Sequence, residues 1–93
     1  MLENEIERHL AMKVRRMGGM AVKFVSPGLS GVPDRIVLLP NGKCAFVELK
    51  APGEKLRVLQ EKRKRQLESL GFTVYVIDGT EQIGGVLSAI QAT

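Results

Sequence analysis

The chain has 93 residues, with 14 Lys+Arg against 10 Asp+Glu, one His and one Cys, and a formal charge of +4. That length predicts one small domain over residues 1–93, with a core thin enough for a partner subunit to help. No apolar run approaches the ~18 residues a membrane span needs, and a single Cys44 excludes an internal disulfide or a cysteine-cluster zinc site.

Residues 2–17 read as a helix. Leu2, Ile6, Leu10, Val14 and Met17 recur at spacings of four or three, the period of one helix face. Gly18-Gly19 ends it, and the basic residues of its last turns suit the helix dipole. Glu3, Glu5 and Glu7 replace the basic head of a signal peptide, so the expected compartment is reducing and cytoplasmic. A short strand is predicted over Met20–Ser26. A turn at Pro27-Gly28 and a loop over Leu29–Pro33 follow. Two strands, Asp34–Leu39 and Lys43–Lys50, flank Pro40-Asn41-Gly42. The run Ile36-Val37-Leu38-Leu39 is apolar on both faces and calls for cover on both sides.

Ala51-Pro52-Gly53 stops the third strand. A second helix is expected over Lys55–Leu70, with Leu56, Leu59, Leu67 and Leu70 on one face. A fourth strand is predicted over Phe72–Ile77. Asp78 and Glu81 have capping-box spacing, so a third helix follows from about Gly79 to Gln91. The order is α-β-β-β-α-β-α: an α/β fold with a small mixed sheet flanked by helices.

Chemistry concentrates where the two central strands should be mostly apolar, at Asp34, Glu48 and Lys50. A two-residue Asn41-Gly42 loop would pair Asp34 with Leu49. A three-residue loop, with Pro40 and Asn41 at the centre of a type I turn and Gly42 in the left-handed position, pairs Leu39 with Lys43 and so Asp34 with Glu48. Proline suits the first central position and lacks a ladder N–H, which favours the second register. Side chains directly opposite have Cβ atoms about 5 Å apart. Two carboxylates that close share a proton or bind a cation. With one His and one Cys in the chain, hard oxygen-liganded ions, Mg²⁺ or Mn²⁺, are the fit. Lys50, two residues along on the same face, could hold a phosphate or help deprotonate an attacking water. These are the parts for metal-assisted phosphodiester hydrolysis. The competing reading is an ordinary ion pair at a strand edge.

Gly31-Val32-Pro33-Asp34, followed by Glu48-Leu49-Lys50, resembles the PD-(D/E)xK nuclease signature. Lys23–Gly28, Phe46–Gly53, Leu59-Gln60 and Gly71–Tyr75 extend the match, and the chain from about Glu3 to Asp78 resembles the virus-type replication-repair nuclease (VRR-NUC) family. The resemblance implies a restriction-endonuclease-like core. It makes Asp34, Glu48 and the Leu49 carbonyl metal ligands, Lys50 the catalytic lysine and Gln60 a neighbour of the site. It also implies a first-helix glutamate: Glu3 by its place before the Ile6 stripe, or Glu7 one turn later. Short members resemble Holliday-junction resolvases of viral origin. Two symmetric cuts by chains with one site each imply a homodimer.

Lys23, Lys55, Arg57, Arg63 and Lys64 are candidate DNA contacts. Such contacts would be salt-dependent and sequence-blind. Arg63 projects into the apolar stripe, where its stem could pack instead. Few aromatics and no major-groove module argue against base stacking and sequence reading. His9 and Cys44 are assigned structural roles. The expected function is a Mg²⁺- or Mn²⁺-dependent, structure-selective DNA endonuclease acting on four-way junctions. The alternatives are a flap- or nick-directed nuclease and a non-catalytic DNA-binding module.

Overall fold

The computed structural model describes residues 1–93. Its elements are α1 (Glu3–Arg16), β1 (Met20–Lys23), β2 (Arg35–Leu39), β3 (Lys43–Leu49), α2 (Val58–Ser69), β4 (Val74–Ile77) and α3 (Ile83–Gln91). Single 3-10 turns at Pro40–Gly42 and Thr80–Gln82 join β2 to β3 and lead into α3. The strands lie in the order β1-β2-β3-β4. The first two pairings are antiparallel and the third is parallel. A parallel neighbour cannot be reached by a hairpin, so α2 is the crossover between β3 and β4.

The hydrophobic core lies on one face of this sheet. Ile6, Leu10 and Val14 of α1, and Ile83, Leu87 and Ile90 of α3, pack against Val37, Leu39, Ala45, Val47, Leu49 and Ile77. The three α1 residues follow the expected spacing of four. Leu2, by contrast, is 65% exposed, because the helix starts at Glu3 and Leu2 serves as its cap, its N–H donating to Glu5 Oε1 at 3.1 Å.

The opposite face is covered only in part. Phe46 sits between Phe24 and Phe72, with ring centroids 5.6 and 5.7 Å away. α2 lies on this side but buries no side chain. Its leucine stripe is only a partial lid: Leu59 is 40% and Leu70 72% exposed. Leu38, expected to be covered, is 39% exposed. What fastens α2 is the loop before β2. The Arg63 guanidinium donates to Ser30 O at 2.6 Å and to Gln66 Oε1 at 2.9 Å. Gly31, at φ +83°, lets the loop approach so closely that a Cβ there would lie 2.8 Å from Leu59 O.

Several boundaries and turns differ from expectation; β4 starts at Val74 rather than Phe72 and α3 at Ile83 rather than Gly79. β1 ends at Lys23 because the chain leaves the sheet towards Pro27, after Phe24 N–H donates to Asp34 O at 3.0 Å. α2 starts at Val58 rather than Lys55, since Gln60 Oε1 accepts the Arg57 N–H at 2.9 Å and closes the first turn there. Asp78 caps the last helical segment with Gln82 rather than Glu81. Asp78 N–H donates to Gln82 Oε1 at 2.9 Å, and Gln82 Nε2 donates back to Asp78 Oδ1 at 2.7 Å. The β2–β3 loop has the expected three residues, but Asn41 as well as Gly42 is left-handed, at φ 69° and 72°. Asparagine tolerates that region better than most residues.

Candidate active site

The hairpin register places the carboxylates. Leu39 pairs with Lys43 and Arg35 with Val47, so Asp34 arrives opposite Glu48 one residue further on. Asp34 Oδ2 accepts the Leu49 N–H at 2.7 Å, which fixes its side chain across the strand end. Glu48 lies on the face opposite the core and is 3% exposed. Burial pushes its carboxyl up to about 9, helped by a hydrogen bond to Asp34 and by the Asp34 charge, with Lys50 opposing. At neutral pH Glu48 therefore keeps its proton and donates it towards Asp34.

Lys50 is 6% exposed and follows directly after β3, its N–H donating to Ile77 O at 2.9 Å. It makes no direct ion pair, yet its charge is felt at both Glu48 and Glu3. Beside a protonated Glu48, the Lys50 charge is poised for an anion, or for a second carboxylate once that proton leaves.

The two first-helix glutamates have different surroundings. Glu3 opens α1 at the surface, and partial desolvation and then the Asp34 charge raise its pKa, with Lys50 opposing, so Glu3 lies near the pair. Glu7 is occupied elsewhere. Its Oε2 accepts Arg35 Nε at 2.7 Å, and the same guanidinium donates to Ala21 O at 2.6 Å. Arg35 thus ties α1, β1 and β2 together immediately after Asp34. Sequence reasoning missed it, since its partner lies 28 positions away and nothing local marks the pair.

Gln60 reaches the site from α2. Its Nε2 donates to Glu48 Oε1 at a long 3.5 Å while its Oε1 caps Arg57. The candidate DNA contacts divide. Lys23, Lys55 and Arg57 are exposed at the end of β1 and in the segment leading into α2. Arg63 holds the Ser30 loop, and Lys64 is paired with Glu68 at 3.2 Å. His9 and Cys44, expected to be structural, lie exposed on the surface.

A family model, the VRR-NUC domain, matches residues 2–81. The chain belongs to the VRR-NUC family. It is 51% identical over 88 residues, covering 95% of this chain and 94% of the relative, to the protein named "Putative nuclease p44" of Acyrthosiphon pisum secondary endosymbiont phage 1. A solved VRR_NUC domain structure superimposes with a TM-score of 0.86 at 26% identity, covering 92% of this chain and 94% of that one. This VRR-NUC chain is therefore a nuclease with a mixed α/β core and a four-stranded sheet. No helix is long and apolar enough to cross a membrane.

The Asp34–Glu48 pair suits a hard divalent cation, which would take the place of the Glu48 proton. Three acidic side chains do not gather into a complete cage. The protein's offer is two carboxylates, with Glu3 near them at the helix end. Mg²⁺ commonly accepts so few protein ligands, keeping waters and taking substrate phosphate oxygens for the rest.

Proposed function

We propose that this VRR-NUC chain acts over residues 1–93 as one domain, a Mg²⁺- or Mn²⁺-dependent, structure-selective DNA endonuclease that cuts four-way junctions as a homodimer. The observation carrying the reading is the buried Glu48 and Lys50 beside a half-buried Asp34 whose side chain is fixed across the strand end. Pure binding gains nothing from placing two carboxylates against a phosphate. Asp34, Glu48 and the Leu49 carbonyl hold the ion, with Glu3 as the outer acid. The ion supplies charge neutralisation at the scissile phosphate. Lys50, as an ammonium, orients the attacking water and stabilises the negative charge that develops on it. Gln60 keeps Glu48 aimed and joins α2 to the site. Lys23, Lys55 and Arg57 track the backbone, whereas Arg63 and Lys64 act first within the fold.

The half-covered sheet face supports the homodimer. Met20, Leu38 and Cys44 stand in one row by register across β1, β2 and β3. Met20 is 60% and Leu38 39% exposed. A second copy covering that row would thicken a core that a chain this small struggles to build.

The test is cleavage of a four-way junction, a 5′ flap and a plain duplex with Mg²⁺ or Mn²⁺, alongside Asp34→Ala. Paired symmetric nicks in the junction, lost in the variant, are the expected result. Cleavage of flaps alone would replace junction resolution with flap processing. Binding without metal-dependent cleavage of any substrate would overturn the catalytic reading.

A further inference from the structure

Two cations near the far end of α1 take no part in the site above. Val14 points into the core, while Lys13 and Arg16 lie on the flank of α1 that meets α3. With Met17, Gly84, Leu87 and Ser88 they line a groove of about 300 Å³. Both cations are exposed, and neither belongs to any of the molecule's three ion pairs. The turn Thr80–Gln82 packs against α1 and carries Glu81, which pairs with neither of them. On the α3 side the wall is low. The nearest atom to a Cβ built on Gly84 is Lys13 Nζ itself, at 4.0 Å. Ser88 adds a hydroxyl to the rim.

Two cations, a hydroxyl and a wall without bulk match the chemistry of a phosphodiester, whose oxygens accept charge-assisted hydrogen bonds. Basic residues in a last helical turn also answer the helix dipole. That role predicts an effect on stability alone and does not require a groove. Glu3 and Arg16 are the two ends of α1, so thirteen rises of 1.5 Å put Arg16 about 20 Å along the helix from Glu3, the end nearer the carboxylate pair. The groove also opens on the α1–α3 layer, whereas Lys55 and Arg57 lead into α2 on the other side of the sheet.

We infer that the α1–α3 groove is a phosphodiester-binding site that holds a second DNA segment, distinct from the one being cut. This rests on the DNA-nuclease reading above and gives a branched substrate its second point of attachment. The site contributes affinity and orientation, with no part in bond cleavage.

The test measures binding by the full chain in an Asp34→Ala background, so that substrates stay intact. A four-way junction and a linear duplex of the same sequence are titrated across a salt series, with and without Lys13→Glu/Arg16→Glu. The expected result is a junction affinity at least tenfold weaker and a log–log salt slope shallower by about 2, the loss of two phosphate contacts. Duplex binding should change less than twofold, and Lys13→Arg/Arg16→Lys should restore junction binding. Unchanged junction binding with a lowered melting temperature would overturn the site in favour of the dipole role. Equal losses on both substrates, where the parent prefers the junction, would overturn the second-segment assignment. If the parent shows no preference for junctions, the junction reading fails by itself. The groove is then judged on duplex: a shallower slope keeps it as a phosphate site, and an unchanged slope removes it.

Discussion

Replacing Glu48 with glutamine tests the protonation of the site directly. The folded protein holds the Glu48 proton up to about pH 9, whereas an ordinary glutamate loses it near 4.5. Between those values the folded state binds more protons than the unfolded one, so stability falls as pH rises. The limiting slope is about 1.4 kcal/mol per pH unit. From pH 5 to pH 7.5 the loss is of order 3 kcal/mol, a large share of the ~5–15 kcal/mol that holds a domain together. Glutamine mimics the protonated acid and carries no such penalty. Urea unfolding in EDTA at pH 5, 6, 7 and 8 should therefore show Glu48→Gln gaining on the parent with each unit of pH. Divalent metal should reverse the order, stabilising the parent by displacing close to one proton per site. Calorimetry in buffers of different ionisation enthalpy would count that proton. A parent-to-variant difference that stays constant from pH 5 to pH 8 would refute the reasoning, because Glu48 would then be ionised in the folded state.

Other expectations follow from neighbouring contacts. Lys50→Met should slow cleavage by about 10²–10³, the usual loss when one charge-stabilising donor is removed, while junction affinity stays within a few-fold; gel-shift and single-turnover assays separate the two. Glu3→Gln should weaken Mn²⁺ binding measured by calorimetry with little change in melting temperature. Glu7→Gln should do the reverse, losing about 1 kcal/mol of stability as the Arg35 pair weakens. Gly31→Ala should destabilise by more than about 1 kcal/mol, since a left-handed residue gains a Cβ against α2; a denaturant melt would show it, and Arg63→Ala should loosen the same contact.

Local chemistry in the sequence carried the hairpin. A proline that cannot serve the ladder, followed by Asn41-Gly42, selects the three-residue loop, and that single choice aligns Asp34 with Glu48. The α1 stripe was legible for the same reason: Ile6, Leu10 and Val14 face one way whatever lies beneath them. Period alone misled on α2. Leu56, Leu59, Leu67 and Leu70 define an amphipathic face, but how deeply it packs depends on the surface it meets. Here that surface is a loop and a sheet edge. The difference between Glu3 and Glu7 was likewise hidden. One turn of helix separates them, and only the distant Arg35 decides which is occupied and which is left free near the pair.

The shallow seating of α2 has a dynamic consequence. Asp34 and Glu48 are carried by strands bonded on both sides or locked across a hairpin, and their amides should exchange with solvent only on global opening. Gln60 sits on a helix that buries no side chain and is held mainly by polar and backbone contacts. Local unfolding begins where few apolar contacts oppose it. The α2 amides should therefore exchange orders of magnitude faster than those of β2 and β3. The candidate site then straddles two regions of unequal stability, and a substrate seated against α2 would slow exchange there first.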